Sequence, residues 1–224
     1  MLLIRLKKNK EYLLFEFTVL FLLIPFILFM YTPTPILPYL WIIAGFCTFI
    51  LLKDKKFNKE NFFRQKLLSK NIKALILEFF IISLFIVSFM FYFLPELFFS
   101  LFKQNPYLWL AVIILYPLLS VYPQEVVYRA YFFHRYKKLF SSKANMILIN
   151  AFLFGYMHII FHNYIAVILT IGGGYLFARL YDKTHSLAVL FVAHSLYGCM
   201  LFTIGLGEFF YTGTIATMQE TFKF

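Results

Sequence analysis

The sequence predicts an all-α fold: a polytopic transmembrane bundle of about seven or eight helices around a membrane-embedded polar cavity. Three observations carry this. Of 224 residues, 62% are hydrophobic and 22% aromatic, and the mean hydropathy of +0.79 lies far from that of a soluble domain. The apolar residues gather into runs of roughly 20, the length that crosses a bilayer as a helix. The basic residues, which leave a net charge of +11, sit between those runs, where the positive-inside rule places them. That distribution also excludes nucleic acid as the reason for the charge.

Residues 13–30 form the first expected span. A basic flank precedes it and no small-residue cleavage pattern follows, so it reads as an uncleaved span with a cytoplasmic N-terminus in the cell membrane. Pro33 and Pro35 mark an uncharged turn before the second span, 36–52. Residues 53–73 carry eight Lys or Arg and form a cytoplasmic loop. Its Phe62, Phe63, Leu67 and Leu68 leave two readings: a helix lying on the anionic inner leaflet, or a solvated linker.

The third span covers about 74–95. From Tyr107 to Phe140 the chain is too long for one simple crossing. Two crossings would put the basic loop 135–143 outside, so a single long element, bent at Pro117 and Pro123, fits the charges better. Pro123 suits the first turn of a new helical segment, which would put Gln124 and Glu125 beside a break that water can reach.

Residues 144–161, 164–180 and 186–205 complete the spans. With the N-terminus inside, seven crossings leave the tail from Leu206 outside. On that topology 18 of the 21 Lys and Arg lie at cytoplasmic ends, all but Lys103, Arg129 and Lys223. Gly172, Gly173 and Gly174, with Ala178, give the sixth span a small face for close helix packing. The whole chain, 1–224, reads as one integral domain without internal repeats. Cys47 and Cys199 both lie in apolar runs and support neither a disulfide framework nor a thiolate metal site.

The chemistry centres on Pro123-Gln-Glu-Val-Val-Tyr-Arg129. Glu125 and Arg129, at i and i+4, share a helix face. A charge at the centre of a membrane helix costs about 2.5–3.5 kcal/mol on insertion scales, so such residues face protein interior and mark sites. His158 and His194 each place one imidazole in a later apolar span. A carboxylate with imidazoles suits a hydrolase, which must take a proton from water and stabilise an oxyanion. Tyr128 stands next to Arg129 and Tyr156 near His158, where hydroxyls can orient charged groups, although sixteen tyrosines in the chain favour coincidence. His158 and His162 have zinc-compatible spacing, but few further ligands exist, so no metal or other cofactor is expected.

The order Glu-x-x-x-Arg, Phe154-x-x-x-His158, then His194-x-x-x-Gly198 resembles the CPBP family of intramembrane endopeptidases, which includes the eukaryotic CAAX prenyl endopeptidase and bacterial Abi-type proteins. The resemblance covers about residues 105–205. It implies a helical fold with a conical cavity, a glutamate and a histidine that activate water, and a second histidine with an asparagine that stabilise the oxyanion, without metal.

Two positions depart from the pattern. Gln124 stands where the family has the first of two glutamates, and Gly198 where it has Asn or Asp. The resulting expectation is a membrane endopeptidase with Glu125 as base, His158 as its partner on water, His194 as oxyanion donor, and Gln124, Arg129 and Tyr128 in support. Its partners are a peptide or protein substrate at the membrane and the lipid bilayer, with no nucleic acid. The rival expectation is a non-catalytic scaffold or regulator of the same fold. A proton-coupled transporter is disfavoured, since the paired discontinuous helices of such folds are missing.

Overall fold

In the computed structural model, which describes residues 9–31, 35–64 and 66–210 with the side chains of Lys66 and Ser69 left aside, the chain is a polytopic helical bundle. Pro33 and the chain beyond residue 210, including Lys223, lie outside the described residues. Among those described, six helices are long and apolar enough to cross a membrane, and a seventh, Leu37–Lys53, is shorter. We number them α1 (Lys10–Tyr31), α2 (Leu37–Lys53), α3 (Lys66–Phe93), α4 (Pro106–Arg135), α5 (Lys143–Phe161), α6 (Tyr164–Thr184) and α7 (Leu187–Ile204).

Local chemistry sets the boundaries. Asn9, Asn105, Ser142, Asn163 and Ser186 each cap the helix that follows by accepting a hydrogen bond from a backbone N–H of its first turn, which satisfies a donor that has no partner within the helix. Pro38 and Pro106 sit in first turns, where the missing N–H costs nothing. Gly205 ends α7 at φ 106, a left-handed conformation in which a Cβ would strike the Leu97 carbonyl oxygen.

The expected single element from Tyr107 to Phe140 is present as α4, continuous over 30 residues. The expected break at Pro123 is not. Two π-helical turns, Pro117–Val121 and Val126–Tyr131, flank a short α-helical stretch that holds Pro123, Gln124 and Glu125. Widened turns absorb the proline ring and the lost donor without interrupting the helix. Asn150, fully buried on α5, donates from Nδ2 to the Tyr128 carbonyl at 2.7 Å and so satisfies a carbonyl inside the second π turn.

The loop 53–73 matches neither expectation. Its last residues are the beginning of α3, and Asn58 caps a 3₁₀ turn, Lys59–Phe62. Phe62 is buried against Phe57 at 5.3 Å between ring centroids, while Phe63 is exposed. Burying two aromatic rings in the core outweighs laying them on a surface. His134 Nε2 and Asp54 Oδ2, 2.9 Å apart, fasten the loop to the end of α4.

The core lies around the second half of α4, where Tyr131 and Phe132, and Tyr136 just after the helix, are fully buried. The other helices surround it, and the outward faces of α1 and α3 carry exposed Phe15, Phe26, Phe80 and Phe85, as expected of lipid-facing surfaces. The small face of α6 meets α5 at one residue of its glycine triplet: a Cβ on Gly174 would lie 3.1 Å from Ala151 Cα, whereas Gly172 has open space. Close packing of α5 and α6 brings His158 beside the glycine-lined part of α6.

Candidate active site

A cavity of about 550 Å³ opens between α4, α5, α6 and α7. Its wall is mostly aliphatic and aromatic rather than generally polar, with Tyr116, Ser120, Gln124, His158, Thr170 and His194 as chief polar exceptions. A few convergent polar groups on an apolar wall is the usual make-up of a small-molecule or peptide site.

Four helices deliver those groups. On α4, Glu125 and Arg129 are both fully buried, with Glu125 Oε2 3.6 Å from Arg129 Nε. The distance makes an ion pair rather than a hydrogen bond. Arg129 Cζ lies 4.5 Å from the Phe154 ring centroid and 5.8 Å from that of Phe177, so two aromatic faces lie near a cation whose nitrogens have no hydrogen-bond partner among the described residues. Glu125 Oε1 meets His194 Nδ1 of α7 at 2.8 Å. A carboxylate only accepts, so Nδ1 carries the proton.

The other nitrogen of His194, Nε2, is 3.2 Å from the hydroxyl of Tyr116. Phe177 stacks on the imidazole at 4.5 Å. Glu125, His194 and Tyr116 thus form one polar chain from the buried layer to the cavity wall. His158 ends the α-helical part of α5, and its Nδ1 donates to the Phe154 carbonyl at 2.6 Å. That bond fixes the tautomer with Nε2 unprotonated as the ring's remaining polar atom.

The structure separates two adjacent residues. Gln124 lines the cavity, its Nε2 donating to Ser120 Oγ at 2.8 Å, and its Oε1 has no hydrogen-bond partner among the described residues. Glu125 stands behind the wall with its oxygens turned to His194 and Arg129. The side chains of Gln124, His158 and His194 share the cavity, and Glu125 reaches it only through His194.

Tyr128 packs in the core, its ring against Phe21 and Phe154 at 5.3 and 5.2 Å. Tyr156 points away, with its hydroxyl 3.5 Å from the Leu22 carbonyl. His162 has turned onto Phe29, at 4.7 Å between rings. Among the described residues no three His, Cys, Asp or Glu side chains gather where they could hold a metal ion.

Residues 103–200, a little under half of the chain, match the family model of the type II CAAX prenyl endopeptidase Rce1-like proteins. By that match, residues 103–200 are similar to the Rce1-like proteins. No curated protein and no solved structure matches the chain.

The matched stretch contains one cavity residue that the motifs of the resemblance do not name. A Cβ on Gly198 would lie 2.5 Å from the Tyr116 hydroxyl, so the phenol from α4 occupies the space that a side chain at 198 would fill. Tyr116 thereby reaches the histidine one turn before Gly198 in α7. Nothing in the sequence distinguishes Tyr116 from the other fifteen tyrosines.

Glu16 was open to detection, because a carboxylate in an apolar span is the same signal as Glu125. It accepts from Arg135 Nε and Nη2 at 2.9 and 2.8 Å and from Tyr131 and Tyr136 at 2.7 and 2.9 Å. This cluster ties α1 to the end of α4 and stands apart from the cavity-lining residues.

Proposed function

We propose that this protein is an intramembrane endopeptidase that hydrolyses a peptide bond with water held between His158 and the His194–Tyr116 pair. The observation that carries the reading is the Glu125–His194–Tyr116 chain, which links a buried carboxylate to an apolar cavity also walled by His158. A general base needs a free lone pair within reach of water, and His158 Nε2 has one.

His158 Nε2 takes a proton from water as its oxygen adds to the peptide carbonyl carbon. Negative charge grows on the carbonyl oxygen, and the Tyr116 O–H, which donates to His194 Nε2 at rest, turns to donate to it. Glu125 holds His194 in the tautomer that keeps Nε2 toward Tyr116, as the carboxylate of a carboxylate–histidine pair does. The proton on His158 then passes to the leaving nitrogen and the C–N bond breaks. Gln124 cannot act as a base, but its Oε1 can accept a hydrogen bond from the water. Glu125 is in this reading a positioning residue, one step behind the base role that its motif suggested.

The test is peptide cleavage by purified protein in proteoliposomes, read by mass spectrometry, with Glu125→Gln, His158→Ala and His194→Ala beside wild type. Each variant should lose about 10²–10⁴ in turnover, and the losses should not add; Glu125→Gln also leaves the buried Arg129 charge unpaired at about 3–5 kcal/mol, so its turnover is read per folded protein. Turnover should also survive a strong chelator. A second reading, a regulatory scaffold of the same fold, is favoured by Gln124, whose amide is tied to Ser120 where a carboxylate base would stand. No cleavage by wild type, together with a silent Glu125→Gln in cells at normal protein level, would establish the scaffold.

A further inference from the structure

The side of the bundle on which the cavity lies follows from two independent observations. The first is where along each helix the lining residues fall. Leu37 begins α2, Tyr116 and Gln124 lie in the first two thirds of α4, His158 is near the end of α5, Gly172 is in the first half of α6, and Gly198 is in the second half of α7. The second is where each helix carries its basic end. α2 ends at Lys53, α4 ends at Arg135, α5 begins at Lys143, and Lys183 stands at the junction of α6 and α7. In every helix the cavity-lining residues are displaced away from the basic end.

Lys and Arg mark cytoplasmic ends. We propose that the cavity opens on the extracytoplasmic half of the membrane and takes an uncharged, apolar stretch of peptide presented from that side. The chemical class follows from the wall: among the described lining residues there is no Asp, Glu, Lys or Arg. A free carboxylate or ammonium brought into such a cavity would stay unpaired in an apolar medium. An internal segment has no such charge, and 550 Å³ falls within the range of pockets that enclose a ligand.

The inference rests on the cavity being the substrate site, and it is tested without turnover, so the two readings can fail separately. In the full chain with Cys47→Ala and Cys199→Ala, Gly172→Cys puts a thiol at the cavity wall, where a Cβ meets nothing within 4 Å. Lys56→Cys and Lys138→Cys mark the basic loops. A charged, membrane-impermeant maleimide added to intact cells should label Gly172→Cys, and label the two loop positions only after permeabilisation. Labelling of the loops from outside overturns the proposal. So does a Gly172→Cys that reacts only after permeabilisation, or one that never reacts.

Substrate class is read in the same cells. An N-acetylated, C-amidated Leu/Ala peptide added outside should slow labelling of Gly172→Cys severalfold, and the same peptide with free termini and flanking lysines should not. Equal protection by both peptides, or by neither, refutes the apolar, uncharged class.

Discussion

Removing one oxygen, in Tyr116→Phe, tests the site most sharply. The ring would stay packed against Phe202, 5.1 Å away, so the change isolates the hydroxyl and its 3.2 Å contact with His194 Nε2. As a stability term, one neutral hydrogen bond contributes about 0.5–1.5 kcal/mol net, and the fold should tolerate its loss. As a catalytic term, one oxyanion donor contributes about 10²–10³ in kcat. The expected signature is therefore a large fall in kcat with little change in KM or thermal midpoint.

Gly198→Asn should act differently, because its Cβ would sit 2.5 Å from the phenol oxygen. Overpacking of this kind costs about 1–3 kcal/mol, so thermal stability should fall. Combined with Tyr116→Ala, the asparagine gains the vacated space and offers an amide donor beside His194. The pair should then couple by about 0.5–3 kcal/mol, with activity above that of either single variant. Peptide cleavage in proteoliposomes and melting in detergent supply both readouts. Unchanged kcat in Tyr116→Phe, or Gly198→Asn tolerated beside an intact Tyr116 without loss of stability, would refute the assignment.

Three further outcomes follow from the same geometry. Gln124→Glu places a carboxylate at the cavity wall within reach of Ser120 and should raise kcat, by no more than the roughly 10²–10⁴ that a positioned base contributes; a fall in rate with normal folding would show that the site needs the amide. Arg129→Ala should lower the thermal midpoint far more than Arg129→Lys, since leaving the buried Glu125 without its partner costs about 3–5 kcal/mol, and equal melting of the two variants would contradict the pairing. Gly174→Val should destabilise the bundle by forcing α6 from Ala151 while Gly172→Ala melts like wild type, and the reverse order would mean that the α5–α6 contact has been misassigned.

Most of the fold was legible because membrane helices announce themselves by length, apolarity and the charge of their flanks. The reading of α4 as one long element came from the basic loop at 135–143, and it agrees with the structure. What charge and hydropathy cannot encode is how a helix passes a proline. The π turns around Pro123 depend on partners elsewhere, such as Asn150 for the Tyr128 carbonyl. Phe57 and Phe62 illustrate the same limit: an aromatic in a basic loop has no visible destination until the core it fills is assembled.

At the site, the Glu125–Arg129 pair and the two histidines were legible as types, but which way each points was not. Adjacent helical residues differ by about 100°, and here Gln124 lines the cavity while Glu125 is turned behind its wall toward His194, a choice that the position of α7 decides. Placing Glu125 against His194 has an energetic implication. A buried ion pair is a weak source of stability, and apolar residues of similar volume often serve as well or better. Both departures from the family pattern, Gln124 and Gly198, fall on the cavity wall, while the costly charges of Glu125 and Arg129 stand behind it. A chain that needed only the fold could dispense with that layer. Its placement against an imidazole, a phenol and a cavity argues that the charge is used, and the silent or crippling effect of Glu125→Gln on cleavage is where the argument stands or falls.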